Sequence, residues 1–195
     1  MKTSAIVLAA GEAKRFGSAK QLALVDGKPM LQHTLDNLAA SRVDDIVVVL
    51  GAYADEIRSR VNFGRARVVV NDRFAEGMST SIHAGLRAIG NADAAMIVLG
   101  DQPFVTTRTY DALLDASGDV VAPEYKGFRG NPVIVSRSLF AEMMQIRGDV
   151  GCRAIFGSHA ATKIAVDDEG VVKDVDTPLV EDVVIKATRS PRDDG

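Results

Sequence analysis

Arg15 and Lys20 close a polar loop that holds Gly11 and Gly17 and follows the apolar residues Ile6, Val7, Leu8, Ala9 and Ala10. A buried strand opening into such a loop can turn backbone N–H groups toward phosphate oxygens. The two side-chain cations then stand where phosphate charge needs neutralising. The loop has neither standard form. A P-loop places Lys-Ser/Thr directly after its second glycine, and the dinucleotide fingerprint reads G-x-G-x-x-G. The spacing therefore points to a nucleoside triphosphate site of a third kind, with Lys14 read as a solvent charge.

Two aspartates follow apolar runs in the same way. Asp101 lies in Gly100-Asp101-Gln102-Pro103, and Asp176 lies in Val175-Asp176-Thr177-Pro178. A carboxylate just past a strand suits Mg²⁺, which prefers hard oxygen ligands shared with phosphates. Each aspartate has a plainer reading beside this one: Asp101 as a turn or cap residue, Asp176 as the N-cap of a last helix begun near Pro178. Gly77-Met78-Ser79-Thr80-Ser81 offers hydroxyls at a helix start, for a base edge or simply for capping. Residues 127–132, with Arg129, Gly130, Asn131 and Pro132, and residues 147–153, with Asp149 and Arg153, are glycine-rich and basic enough to line a second, anion-binding pocket. Asp149 as an ordinary N-cap competes with that role.

The elements needed to position these groups are legible. Short apolar runs at residues 5–9, 46–50, 68–70, 96–99 and 120–122 read as buried strands. Helical periodicity separates them. Leu31, Leu35 and Leu38 follow the Asp26-Gly27 turn and Pro29. Tyr53, Ile57 and Val61 mark a second helix, Ile82, Leu86 and Ile89 a third, and Tyr110, Leu113 and Leu114 a fourth. This order predicts an α/β fold: one three-layer, Rossmann-like domain with a mostly parallel sheet and helices on both faces. Ligands in such sheets sit beyond the carboxyl ends of the strands, at a topological switch point. Further on, residues 132–135, 162–166 and 171–175 read as strands. Residues 139–144 and 149–156 read as short helices, residues 179–188 as a closing helix, and residues 189–195 as a polar tail.

Composition sets outer limits. The 195 residues are 47% hydrophobic and 25% charged, with a net charge of -3. That fits a soluble domain with a sizeable core and argues against a general nucleic-acid binder. The single Cys152 rules out an internal disulfide and fits a reducing cytosol. His33, His83 and His159 show no metal-ligand spacing. No apolar run approaches the ~20 residues of a membrane span, and no signal peptide is evident. The expected location is the cytoplasm.

Taken in series, the motifs resemble a known family. Leu8-Ala9-Ala10-Gly11-x-x-x-Arg15-Phe16-Gly17-x-x-Lys20-Gln21-Leu22 is similar to the signature of the MobA-like nucleotidyltransferases. Gly77-Met78-Ser79-x-Ser81, Gly100-Asp101-Gln102-Pro103, Arg129-Gly130-Asn131-Pro132, Gly148-Asp149-x-Gly151-x-Arg153 and Asp176-Thr177-Pro178 follow in the family's order. The whole series looks most like the MocA branch, the CTP:molybdenum cofactor cytidylyltransferases. Its Ser-rich segment after Gly77 departs from the Pro-Leu-Ala-Gly type of the GTP-using branch. One position departs from the pterin-side motif, with Gly130-Asn131-Pro132 where Gly-His-Pro is common.

The resemblance implies that Leu8, Ala9, Ala10 and Gly11 hold the nucleotide through their backbone, and that Arg15 and Lys20 bind the triphosphate. Asp101 would hold Mg²⁺ with Asp176 as second ligand, while Asn71, Gly77, Ser79 and Ser81 would face the base. Arg129, Gly130, Asn131, Pro132, Asp149 and Arg153 would receive a molybdopterin acceptor. Residues 1–105 would chiefly serve the nucleotide and residues 106–188 the acceptor. A molybdoenzyme or its chaperone would be the downstream partner. Three alternatives share these residues: the same chemistry with GTP, another phosphorylated acceptor such as a sugar or isoprenoid phosphate, and a non-catalytic nucleotide-binding accessory protein.

Overall fold

Strands that bury both faces are written as unbroken apolar runs, and four apolar strands stand side by side in one sheet, one of them at its edge. In the computed structural model, which describes residues 1–12 and 18–175, these are β1 (Thr3–Ala9), β4 (Asp45–Leu50), β5 (Arg67–Val70) and β6 (Ala94–Leu99). Between β1 and β4 lie the two-residue strands β2 (Leu24–Val25) and β3 (Lys28–Pro29). They pair antiparallel across Asp26 and Gly27, both at positive φ (49° and 76°). That backbone suits the Asp-Gly sequence of a tight hairpin. Later come β7 (Val120–Tyr125), β8 (Phe128–Arg129), β9 (Val133–Ser136) and β10 (Thr162–Ala165).

Among the described residues the main sheet has eight strands in the order β10-β7-β9-β6-β1-β4-β5, with β8 attached to β7. β1 runs parallel to both β4 and β6, and β4 parallel to β5. Only β9, between β6 and β7, and the short β8 run against the rest. The chain winds from β1 outward through β4 to β5, then crosses back to β6 on the other side of β1. The switch point therefore lies at the carboxyl ends of β1 and β6.

Alternate residues of the strands feed two cores. Ala5, Val7 and Ala9 face Leu31, Leu35 and Leu38 of α1 (Met30–Ala39), Ile57 of α2 (Ala54–Arg60), and Tyr110 and Leu113 of α4 (Thr107–Leu114). Ile6, Val47 and Val49 face Ile82 and Leu86 of α3 (Met78–Ala88) and Met143 of the single-turn α5 (Phe140–Met143). The predicted α/β, three-layer architecture is thus present. Locally, residues 171–175 are not a strand. Glu169–Val172 forms a 3₁₀ turn, because Asp168 accepts from Gly170 N at 3.0 Å and Gly170 packs against the backbone of Phe104. The expected short helix at 149–156 is a 3₁₀ segment, Cys152–Gly157. The closing helix at 179–188 and the tail at 189–195 lie outside the described residues.

Gly85 shows how tightly α3 sits on the sheet. A Cβ there would overlap the Ile6 Cγ2 methyl, and Ile6 is fully buried. Gly85→Ala should therefore destabilise by about 1–3 kcal/mol, the usual cost of overpacking a core. A urea titration with an unchanged midpoint would show that α3 does not bear on β1 as described.

Candidate active site

β1 and β6 end side by side, and their two loops share the walls of a cleft of about 660 Å³. Gly100 N donates to Leu8 O at 3.0 Å, and a Cβ on Gly100 would lie 2.9 Å from that oxygen. Only glycine lets the β6 loop leave this close to β1, which puts Asp101 beside the Leu8–Gly11 backbone. Leu8, Ala9, Ala10, Gly11, Lys20 and Asp101 all line the cleft. Lys20 Nζ donates to Asp101 Oδ2 at 2.9 Å, joining groups 81 residues apart. The sequence-predicted cation and carboxylate therefore meet. Arg15 and Asp176 lie outside the described residues.

Gln21 holds the loop in shape. Its Nε2 donates to Ala9 O at 2.9 Å and to Gly11 O at 3.2 Å, and the side chain is buried. Sequence reasoning gave Gln21 no role, because a glutamine after a lysine carries no signal until its partners are known. Asp174 was missed for a similar reason. Gln102, 3% exposed, donates from Nε2 to Asp174 Oδ1 at 2.7 Å, and Val175 N donates to Asp101 O at 3.2 Å. The chain entering residue 175 is thus pinned against the Asp101 loop, with Asp174 on the cleft wall. Asp168 anchors this return. Its carboxylate accepts from Thr106 N and Thr106 Oγ1 at 2.9 Å each and from Thr109 Oγ1 at 2.5 Å, fastening it to the start of α4.

The opposite wall is built at the start of α3. Gly77, at φ 110°, leaves no room for a Cβ against Gly148 and Asp149. Ser79 N donates to Gly148 O at 3.1 Å and Met78 N to Asp149 Oδ1 at 3.3 Å. Asp149 thus serves the first turn of α3, seventy-one residues away in sequence, where helix N-termini favour negative charge. Gly77, Ser81 and Asp149 line the cleft, whereas Asn71 and Ser79 stand behind it. Asn71 is buried, donating to Thr80 Oγ1 at 2.8 Å and Ser81 Oγ at 3.0 Å while its Oδ1 accepts from Arg73 N at 3.1 Å. Its amide is committed to the protein, and it holds the hydroxyl of Ser81, a residue that does line the cleft. Ser79 is 1% exposed.

Of the second predicted pocket, Asn131, Asp149 and Arg153 line the cleft, while Arg129, Gly130 and Pro132 do not. Arg129 instead stacks its guanidinium 3.5 Å from the ring centroid of Phe156, which does line it. Gly130 is pressed onto the Val171 backbone, and Asn131 N donates to Val171 O at 2.8 Å. Among the described residues no cluster of three or more His, Cys, Asp or Glu forms a self-sufficient metal cage. Asp101 and Asp174 both line the cleft, and carboxylates are hard oxygen donors of the kind a divalent ion can share with substrate phosphates.

A mostly parallel sheet whose switch-point loops present backbone, lysine and carboxylate to one cleft is the architecture of an α/β enzyme with its site at the strands' carboxyl ends. The chain belongs to the MobA-like NTP transferase domain family, whose model matches residues 5–164, and it is a nucleotidyltransferase. Nicotine blue oxidoreductase of Paenarthrobacter nicotinovorans is 29% identical over 185 residues, covering 88% of this chain and 91% of that protein. An Rv0371c homolog from Mycobacterium sp. strain JC1 has 30% identity and a TM-score of 0.79, with 90% of this chain and 91% of that one covered. Rv0371c of Mycobacterium tuberculosis in complex with manganese has 27% identity and a TM-score of 0.74, with 85% and 89% covered. The family expected from the motifs is therefore borne out. No helix among the described residues is long and apolar enough to cross a membrane.

Cys152 lines the same cleft yet is not a ready nucleophile, because burial pushes its thiol up to about 12. Its neutral form is held far above neutral pH, and the thiolate is the reactive form. Iodoacetamide at pH 8 should therefore label the folded protein at least ~100-fold more slowly than the urea-unfolded chain, read by mass spectrometry. Equal labelling rates would show an open, acidic thiol instead.

Proposed function

We propose that the protein transfers CMP from CTP to the terminal phosphate of a molybdopterin-type acceptor, with Mg²⁺ and with release of pyrophosphate. The observation that carries this reading is the convergence of the Leu8–Gly11 backbone, Lys20 and Asp101 at the β1–β6 switch point. CTP rather than GTP is favoured by the Met-Ser-x-Ser segment after Gly77, which brings Ser81 to the cleft. The acceptor side is supported by Asn131 and Arg153 on the cleft wall. Residues 1–105 then chiefly hold the nucleotide, and residues 106–188 the acceptor. The product would pass to a molybdoenzyme or its chaperone in the cytoplasm.

In this reaction an acceptor phosphate oxygen forms a bond to the α-phosphorus of CTP while the bond to the pyrophosphate oxygen breaks. The nucleophile is already an anion, so no strong base is needed. That agrees with a cleft in which, among the described residues, no histidine appears and the thiol of Cys152 stays protonated. The obstacle is bringing one anion onto another, and the protein's part is positioning and charge. Leu8, Ala9, Ala10 and Gly11 offer backbone to the nucleotide. Lys20 and Arg15 neutralise the triphosphate, and Gln21 keeps the loop rigid. Asp101, with Asp176 as second carboxylate, would hold the divalent ion, which supplies positive charge to the phosphate oxygens.

Asp101→Ala should abolish pyrophosphate release while leaving the thermal melting profile cooperative. Wild-type turnover in that variant would remove Asp101 from metal binding. Lys20→Ala should lower the rate by at least about 100-fold, the scale of one preorganised contact to a developing charge.

A thermal-shift panel of CTP, GTP, UTP, ATP and NAD(P)H, each with and without Mg²⁺, tests the ligand class, since a ligand of the native state raises its stability with occupancy. The largest shift should come from CTP with Mg²⁺. A shift with NAD(P)H and none with any triphosphate would overturn the proposal in favour of oxidoreductase chemistry. Pyrophosphate release with a sugar phosphate but not with molybdopterin would replace the acceptor. Binding of CTP with no transfer to any acceptor would leave an accessory protein.

A further inference from the structure

Lys20 and Asp101 are paired in the protein as it stands. Their atoms are 2.9 Å apart, and the lysine side chain is only 14% exposed. Yet the proposed reaction sends them to different ligands, the ammonium to phosphate oxygens and the carboxylate to a divalent ion. The two tasks conflict with the pair. A carboxylate oxygen that accepts from an ammonium has a positive charge close to where a divalent ion would sit, and the two cations repel.

Resting on that reading, we propose that Lys20 is a positioning residue with two stations, which makes divalent-ion binding depend on prior or joint binding of the triphosphate. In the free protein it sits on Asp101, and in the loaded protein it moves to the phosphates and releases the carboxylate. The local structure suits such a movement. Lys20 opens the 3₁₀ turn Lys20–Leu22, and its neighbour Gln21 is tied to Ala9 O and Gly11 O, so the backbone beneath the lysine is anchored. The ammonium can still travel on its flexible four-carbon stem as a point charge, a freedom that a bidentate guanidinium would lack. Both stations border one cleft, since Leu8 to Gly11 and Asp101 line it together. Coupling of this kind is reciprocal: whatever factor the nucleotide adds to the ion's affinity, the ion adds to the nucleotide's.

Mn²⁺ serves as the probe, with its binding measured by electron paramagnetic resonance titration. The protein is titrated alone and then with a non-hydrolysable α,β-methylene analogue of CTP. Lys20→Met should bind Mn²⁺ about tenfold more tightly than the wild type when no nucleotide is present, the scale for relieving one half-buried pair of charges. It should gain less from the analogue than the wild type does. Lys20→Gln should behave like Lys20→Met, which covers a folding failure of either variant. Lys28→Met removes the same charge from a pair with Asp36 that is not part of the cleft lining, and should leave Mn²⁺ affinity unchanged.

Equal Mn²⁺ affinity in the wild type and both Lys20 variants overturns the two-station role. So does an equal gain from Lys28→Met, because net charge rather than contact would then be responsible. In either case an intact response of the wild type to the analogue keeps the nucleotide site standing. Failure of the wild type to bind Mn²⁺ even with the analogue overturns both this inference and the metal reading beneath it.

Discussion

Parallel pairing of β1 with β6 is the constraint on which the rest of the site depends. In a parallel pair both carboxyl ends point the same way, so the loops that leave them open at one edge of the sheet. The register from Thr3↔Ala94 to Leu8↔Leu99 is unbroken. It fixes how far Gly100 stands from Leu8, and so brings Asp101 level with the loop carrying Lys20. Without that register, a lysine and an aspartate 81 residues apart would have no common place. β9 adds to this arrangement from the far side. By running against β6 and β7, it begins at the cleft edge, just after Asn131 on the lining, and ends at the opposite edge.

Close approach of backbones does the remaining work, and it rests on missing side chains. Gly100 lets β6 leave against Leu8, and Gly77 admits the 148–149 backbone to the start of α3. Gly130 and Gly170 let the chain return across Val171 and Phe104. Each is a position where a Cβ would push two segments of the cleft apart. The polar side chains behind the wall then hold what the glycines admit. Asp168, Asn71 and Gln21 spend their hydrogen bonds on the protein itself. They are parts of the frame, and the groups they steer are the ones a ligand would meet.

This division explains what the amino-acid sequence could and could not disclose. The strands were legible because burial on both faces demands continuous apolar runs, and the amphipathic helices because one face must be apolar at a 3.6-residue period. Asp101 was legible because it follows closely on a strand, and Lys20 because it closes the glycine-containing loop that leaves one. Asp174 was not, since its place depends on Gln102 and on the Asp168 anchor, contacts between segments far apart in the chain. Asp149 looked like the cap of a nearby helix because capping is usually local, but it serves α3 instead. Residues 171–175 carry the β-branched texture of a strand. Yet Val171 is buried by a turn that Asp168 caps, and side-chain type alone does not separate the two ways of hiding a valine.

The charge of the cleft bears on what it is built to hold. Its described lining contains three carboxylates, Asp101, Asp149 and Asp174, against two cations, Lys20 and Arg153. Asp149 faces the amino end of α3, where unpaired N–H groups offset part of its charge. Lys20 is already matched to Asp101. A lone polyanion would therefore find little net attraction among these groups, and a neutral ligand would leave the aspartates without purpose. A polyanion accompanied by its own divalent cation would suit such a mixed lining better, since it brings positive charge for the carboxylates and negative charge for Lys20 and Arg153. The arrangement of charge thus favours a nucleotide that arrives with its counter-ion over one that binds bare.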